Sequence, residues 1–157
     1  MRSIKNIAVV AHDNCKEELL DFVSCNRDVF ALHNLVATGT TGRLVENMLK
    51  EHAESSGHDS DITVTRLQSG PLGGDQQLGA RIAEGRVDVL IFFWDPMQPQ
   101  PHDVDVKALL RLAVLYNIPT ASNRSSAEFL ISSPFFSSEF EIKDCGHFEY
   151  VNRILPK

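Results

Sequence analysis

Residues 87–94, VDVLIFFW, contain one polar side chain, Asp88, in eight positions. A strand with one wet face alternates polar and apolar residues, and this run does not alternate. It is therefore predicted to be buried on both faces, the condition of a central strand in a parallel sheet. Parallel neighbours cannot be joined by tight turns, so each strand must be followed by a crossover segment, usually a helix. The rest of the chain has to supply those pieces in alternation.

It does. IKNIAVVA (4–11), HNLVAT (33–38), ITVTRL (62–67) and the short IPTA (118–121) read as further strands. DNCKEELLDFVSCN (13–26) has helical spacing, with Leu19, Leu20, Phe22 and Val23 on one side and Asn14 with Glu17 as a capping-box pattern. TGRLVENMLKEHAE (41–54), DQQLGARIAEGR (75–86, with Leu78 and Ile82 four apart) and SSAEFLISS (125–133) also read as helices. DVDVKALLRLAVLYN (103–117) places Leu109, Leu112, Ala113 and Tyr116 along one stripe. SSGHDSD (55–61) reads as an inserted polar loop, and the tail from Glu139 as closing with a helix around Phe148 to Leu155. The pattern predicts an α/β fold: a single domain over residues 1–157, a three-layer sandwich around a mainly parallel sheet of about five strands.

Composition narrows the functions. A chain of 157 residues can bury a core without staples. A net charge of −6 argues against general affinity for nucleic acid or anionic membrane, so positive partners for an anionic ligand must be local. No stretch approaches the ~20 apolar residues of a membrane span. The apolar run Ile7 to Ala11 is too short for a signal-peptide core. Cys15, Cys25 and Cys145 are odd in number and lack CxxC spacing, which fits a reducing compartment, with cytoplasm as the expected location. Cys15 lies near a helix start, where a thiol can become more acidic, although a half-buried filler role is the simpler reading for all three.

In such sheets ligands bind beyond the carboxyl ends of the strands. Those loops are His12–Asp13, Thr38 to Gly42, Ser69 to Asp75 and Asp95 to Asp105, and they hold nearly every reactive side chain. TGTTGR (38–43) joins glycines and threonine hydroxyls at a helix start, suited to a phosphate, or to a tight turn capped by Thr40 or Thr41. It has neither the GK[ST] of a P-loop nor the GxGxxG of a dinucleotide fold. Lys16, one turn past the first strand, can reach the same place or remain a solvated lysine. Asp13 can serve the site or cap a helix. In WDPMQPQPHDVDVK (94–107) Pro96, Pro99 and Pro101 stiffen the loop that carries His102, Asp103 and Asp105. A metal centre is disfavoured because neither HxxxH nor HxH spacing occurs. SGPLGGDQQ (69–77) frees its backbone with Gly70, Gly73 and Gly74, then presents Asp75 at a helix start. There the helix dipole is expected to hold the carboxyl acidic unless a bound ligand desolvates it.

Taken together AHDNCK (11–16), ATGTTG (37–42), SGPLGGDQQ (69–77), DVLIFFWDP (88–96) and PHDVDVKALLR (101–111) resemble the methylglyoxal synthase family, in order and spacing, from residue 7 to about 124. The resemblance implies a lyase converting dihydroxyacetone phosphate to methylglyoxal and inorganic phosphate without metal or organic cofactor. It implies Asp75 as the base, His102 as hydrogen-bond partner of the substrate oxygens, Asp105 as a second proton-handling carboxylate, and His12 and Asp13 as site residues. Lys16, Thr38, Gly39, Thr40, Thr41, Ser69 and Gly70 match substrate- and phosphate-binding positions, and Arg153 stands for an arginine near the C-terminus. A homohexamer inhibited by phosphate is further implied. The same fold also serves as a regulatory ligand-binding domain in carbamoyl phosphate synthetase, so a phosphometabolite sensor is the rival reading. A sensor needs the phosphate cradle but not Asp75, His102 and Asp105.

Overall fold

The computed structural model describes residues 1–55 and 64–143. Five strands, β1 (Asn6–Ala11), β2 (Asn34–Thr38), β3 (Val64–Leu67), β4 (Val89–Phe93) and β5 (Thr120–Ala121), form one sheet in the order β3-β2-β1-β4-β5. Every pairing is parallel, with Ile7 opposite Leu35 on one side and Val89 on the other. Among the described residues six α-helices connect or flank them: α1 (Lys16–Cys25), α2 (Arg27–Phe30), α3 (Gly39–Ser55), α4 (Gly74–Ala83), α5 (Asp103–Leu115) and α6 (Arg124–Ser132).

The unbroken apolar run is explained by two cores. Val89, Ile91 and Phe93 point to one face, where they join Ile7, Val9, Leu35 and Ala37 under Leu19, Phe22, Val45, Leu49 and Ala127 of α1, α3 and α6. Leu90 and Phe92 point to the other, joining Ala8, Val10 and Val36 under Leu78 and Ile82 of α4 and Val106, Leu109 and Ala113 of α5. All five residues of β4 are at most 1% exposed. Asp88, the polar exception, sits just before the strand and accepts the Asn6 N–H at 2.8 Å. Burying a side chain such as Phe22 or Leu90 contributes about 1.5–3 kcal/mol, and the helices on both faces make that possible along every central strand.

Several boundaries differ from the sequence reading for local reasons. The segment 13–26 begins as a 3-10 turn over Asp13–Cys15, and a second short helix, α2, follows at once. Asn26 separates α1 from α2, its Nδ2 donating back to Phe22 O at 2.9 Å. The capping box is absent: α1 starts after Cys15 with no side-chain cap, because Asn14 is engaged elsewhere. The helix placed at 41–54 starts two residues earlier, at Gly39. Beyond α4, Gly85 turns left-handed (φ 68°), and Arg86 N–H returns to Arg81 O at 2.8 Å, so this helix ends before residue 86.

Lys5 is 1% exposed, yet among the described residues no carboxylate pairs with it. Its Nζ donates to the carbonyls of Arg2 (3.0 Å) and Ser138 (2.8 Å), fastening the segment after α6 to the start of β1. Among the described residues, no helix is long and apolar enough to cross a membrane. The later part of the 55–61 loop, the helix expected around Phe148 to Leu155, Cys145 and Arg153 lie outside the described residues.

Candidate active site

From β1 the chain proceeds outward through β2 and β3, then crosses to the other side of β1 to form β4 and β5. The connections leaving β1 and β4 therefore diverge, and a crevice opens at their carboxyl ends. A cavity of about 100 Å³ occupies this position, walled by residues 10–13 and 16, by 38–41, by Ser69, Gly70, Pro71 and Asp75, and by Phe92, Gln100 and His102. All four loops singled out in the sequence meet in it.

His12 continues β1 by one residue, its N–H donating to Phe93 O at 3.1 Å. Its ring stands edge-on to Phe92, with centroids 5.2 Å apart, and the residue is 6% exposed. Nδ1 accepts the Asp95 N–H at 3.3 Å. An accepting Nδ1 is unprotonated, so the ring proton belongs on Nε2, which is buried without a partner among the described residues. Burial first, and the adjacent His102 second, push the His12 pKa below its ordinary 6.5, keeping the ring neutral near pH 7.

Asp75 lies in the first turn of α4 and is 5% exposed. Among the described residues its Oδ2 has no hydrogen-bond partner, and it stands 3.7 Å from His102 Nε2, just beyond bonding distance. The acidic carboxyl expected from the helix dipole does not survive this setting. Desolvation dominates and raises the Asp75 pKa above 3.8, opposed by His102 and assisted by Asp105. Burial by the protein alone achieves what the sequence reading assigned to a bound ligand. His102 caps α5 by position only, and its ring meets that of His12 at 5.8 Å between centroids. Its Nδ1 is buried and has no partner among the described residues.

The glycines of SGPLGGDQQ have separate tasks. Gly73 adopts φ 97°, a left-handed conformation that starts α4. A Cβ on Gly74 would lie 2.1 Å from Gln68 O, so the chain can double back only without one. At Gly70 a Cβ would lie 2.9 Å from His102 Nε2 and 3.1 Å from Asp75 Oδ2. Gly70 thus keeps open the space between the two ionisable groups.

Thr38 ends β2, and Gly39, Thr40 and Thr41 form the first turn of α3, with Thr38 and Thr41 buried. The first N–H groups of a helix lack intrahelical acceptors and carry the positive end of its dipole, an anion-binding arrangement. Gly39 takes φ 36°, and its Cα is packed so closely on Ser69 that a Cβ would lie 3.1 Å from it. Lys16 lines the same cavity, its Nζ 2.5 Å from Asp13 Oδ1. That bond first, and the ammonium charge second, hold the exposed Asp13 carboxyl below the usual range.

One expected site residue is placed differently. Asp105 does not line the cavity. It lies behind Asp75, in a groove between α4 and α5 with Gln76, Gly79 and Leu112, and acts on Asp75 through its charge. Asp13 sits at the rim, paired to Lys16. Gln100 and Pro71 line the cavity although the sequence reading passed over them. Gln100 was visible as an amide held between Pro99 and Pro101 in the loop that carries His102. Cys15 is not activated: burial first, then Asp95, pushes its thiol up. Among the described residues, no group of three or more His, Cys, Asp or Glu side chains is arranged to hold a metal ion.

Comparison with known proteins agrees with this geometry. A family model described as MGS-like domain matches residues 18–122. Methylglyoxal synthase from Maridesulfovibrio salexigens is 69% identical over 157 residues, covering 99% of this chain and 100% of that one. The Proteus mirabilis methylglyoxal synthase is 56% identical over 151 residues, with 96% and 92% covered. The crystal structure of methylglyoxal synthase from Elizabethkingia anophelis NUHP1 matches with a TM-score of 0.83 at 44% identity, covering 100% of this chain and 96% of that one. With its five-stranded parallel sheet and the four loops around one crevice, the chain belongs to the methylglyoxal synthase family.

Proposed function

We propose that the crevice converts dihydroxyacetone phosphate to methylglyoxal and inorganic phosphate. The observation that carries this reading is Asp75, a buried carboxylate of raised proton affinity that shares one small cavity with a helix N-terminus suited to phosphate. A binding domain gains nothing from an unpaired buried base beside its ligand. An enzyme that removes a proton from carbon does.

The phosphate rests against the first turn of α3 and the Thr38, Thr40 and Thr41 hydroxyls, with Ser69 and Gly70 beside it. Lys16 exchanges Asp13 for the phosphate oxygens. The carbonyl lies toward the two imidazoles, where His12 Nε2–H and His102 donate to its oxygen. Asp75 takes a proton from the hydroxymethyl carbon, the C–H electrons form the C=C bond, and the carbonyl oxygen becomes the enediolate oxyanion. A neutral imidazole donor, here His12, paired with a carboxylate base is the arrangement triosephosphate isomerase uses for the same proton abstraction. The proton of the hydroxyl on the deprotonated carbon then passes to the oxyanion, and the freed oxygen pair forms the aldehyde C=O. The C=C bond shifts to the carbon bearing phosphate, and the C–O bond to phosphate breaks, with the Asp75 proton following the departing phosphate. Phosphate leaves with the bonding pair, and the released enol tautomerises to methylglyoxal. Atoms balance without water or an oxidant. Donors placed on the developing charges, the phosphate and the oxyanion, are each worth about 2.7–4 kcal/mol in comparable sites.

Asp105 modulates Asp75 electrostatically in this scheme, and Arg153 is assigned to the site by family position alone. A single 1–157 domain, a homohexameric assembly, inhibition by phosphate and a cytoplasmic location belong to the same proposal. The test is incubation with dihydroxyacetone phosphate in the presence of chelator, following methylglyoxal and phosphate together. Equal appearance of both products, lost in Asp75→Asn, is the expected result. Phosphate binding without turnover would leave the sensor reading standing instead.

A further inference from the structure

Asn14 makes an unusual choice of partner. Asparagine is among the best helix N-caps, and replacing such a cap by alanine costs about 0.5–2 kcal/mol. Asn14 stands one residue before the cap position of α1 and caps nothing. Its Nδ2 instead donates to Asp95 Oδ2 at 2.8 Å and to Gln98 Oε1 at 2.6 Å, across more than 80 positions of sequence. Asp95 Oδ1 in turn accepts the Met97 N–H at 2.9 Å. Asn14 does not line the cavity, so these bonds serve the loop and not the ligand.

What the loop must hold is the Asp95 backbone. Its N–H reaches His12 Nδ1 at 3.3 Å and gives the His12 ring its only hydrogen bond among the described residues. In the opposite tautomer two N–H groups would confront each other there, which excludes it while the Asp95 amide stays in place. The same loop runs on through Pro96, Pro99 and Pro101 to His102, whose ring packs against His12.

We propose that Asn14 is a positioning residue for the reaction. By tying the β4–α5 loop to the turn after β1, it keeps the Asp95 amide on His12 Nδ1 and His12 as a neutral Nε2–H donor facing the substrate. The titratable groups that interact with His12 through their charge are His102, Asp75, Asp103, Asp13 and Asp95, and among the described residues none of their side chains bonds to its ring. The tautomer is therefore set by the Asp95 amide. This inference rests on the cavity being where dihydroxyacetone phosphate reacts.

The test is nitrogen NMR of the His12 ring in uniformly labelled protein, assigned by its disappearance in His12→Gln, with steady-state kinetics alongside. In the wild type His12 carries its proton on Nε2 across the neutral range. In Asn14→Ala the two tautomers mix, and kcat falls about 3- to 10-fold while KM stays within about twofold, as for misplaced reacting groups. Gln98→Ala removes one of the two acceptors on an exposed residue. It shifts the spectrum less and in the same direction, and it decides the matter if Asn14→Ala does not fold. A wild-type His12 protonated on Nδ1 overturns the proposal. So does a loss of kcat with an unchanged nitrogen spectrum, or variants that match the wild type in both. If the protein makes no methylglyoxal, the spectra still decide the role of Asn14 while the lyase assignment falls separately.

Discussion

Gly70→Ala isolates the geometry of the reacting pair. The added methyl carbon would lie 2.9 Å from His102 Nε2, 3.1 Å from Asp75 Oδ2 and 3.2 Å from His102 Cδ2, where ordinary contacts begin at 3.4 Å. The imidazole has to retreat by about 0.5 Å, and the carboxylate by a few tenths, because neither is a flexible chain end. Asp75 is fixed by the first turn of α4, and His102 by its place at the start of α5. A displacement of 1 Å from productive geometry costs about 100-fold, so half of that on one partner, with a smaller shift on the other, gives about 10- to 100-fold in kcat. That corresponds to about 1.4–2.7 kcal/mol of transition-state stabilisation. The overpacking itself costs about 1–3 kcal/mol of stability, leaving a folded protein to assay. The natural control is Gly73→Ala. Its φ of 97° strains any side chain by about 1–2 kcal/mol, but its nearest atom, Gln76 Oε1, lies 3.8 Å away. Kinetics of methylglyoxal formation and thermal melts on both variants separate strain from site disruption. Gly70→Ala is expected to lose rate far beyond its melting shift, and Gly73→Ala to melt lower with kcat nearly intact. A Gly70→Ala enzyme turning over within twofold of the wild type would refute the claim that the gap between Asp75 and His102 governs the rate.

Asp75→Asn should lower kcat by about 100- to 10,000-fold, the range of a lost general base, measured as initial rates of both products. The same variant should be more stable than the wild type at neutral pH. The Asp75 pKa is raised by burial, so the folded state loses stability as pH climbs through that raised value and the carboxylate ionises; asparagine escapes this loss. Melting curves should show the gap closing as pH falls toward the ordinary value of 3.8. For the wild type, the acidic limb of kcat/KM should lie above 3.8, and a limb at or below it would contradict a desolvated base. Lys16→Met should raise KM for dihydroxyacetone phosphate and the inhibition constant of phosphate together by about 10-fold or more, as expected for one charged hydrogen bond. A change in only one of the two would separate the phosphate cradle from Lys16.

The architecture was legible because hydrophobic burial is periodic. A run such as VDVLIFFW permits only a strand covered on both sides, and the helices at 103–117 and 75–86 supply the cover on one of them. Which loops meet was legible too, since every parallel strand delivers its following loop to the same edge of the sheet. The local detail was less so. Asn14 looked like a cap because capping is a preference of neighbouring residues, and only the folded chain brings Asp95 and Gln98 within its reach. Asp105 looked equivalent to Asp75 by residue type, yet Asp75 lines both the cavity and the groove between α4 and α5, whereas Asp105 lines the groove and not the cavity.

The proton affinity of Asp75 belongs wholly to tertiary structure. Sequence position places it at a helix N-terminus, where the dipole favours the charged form. Packing then removes water from it, and desolvation outweighs the dipole. Sequence by itself determined the strands, the helices and which residues could react. Tertiary structure decided which of them are dry, how far apart they stand and which nitrogen carries a proton, because solvation and distance are properties of surroundings that the chain assembles only when folded.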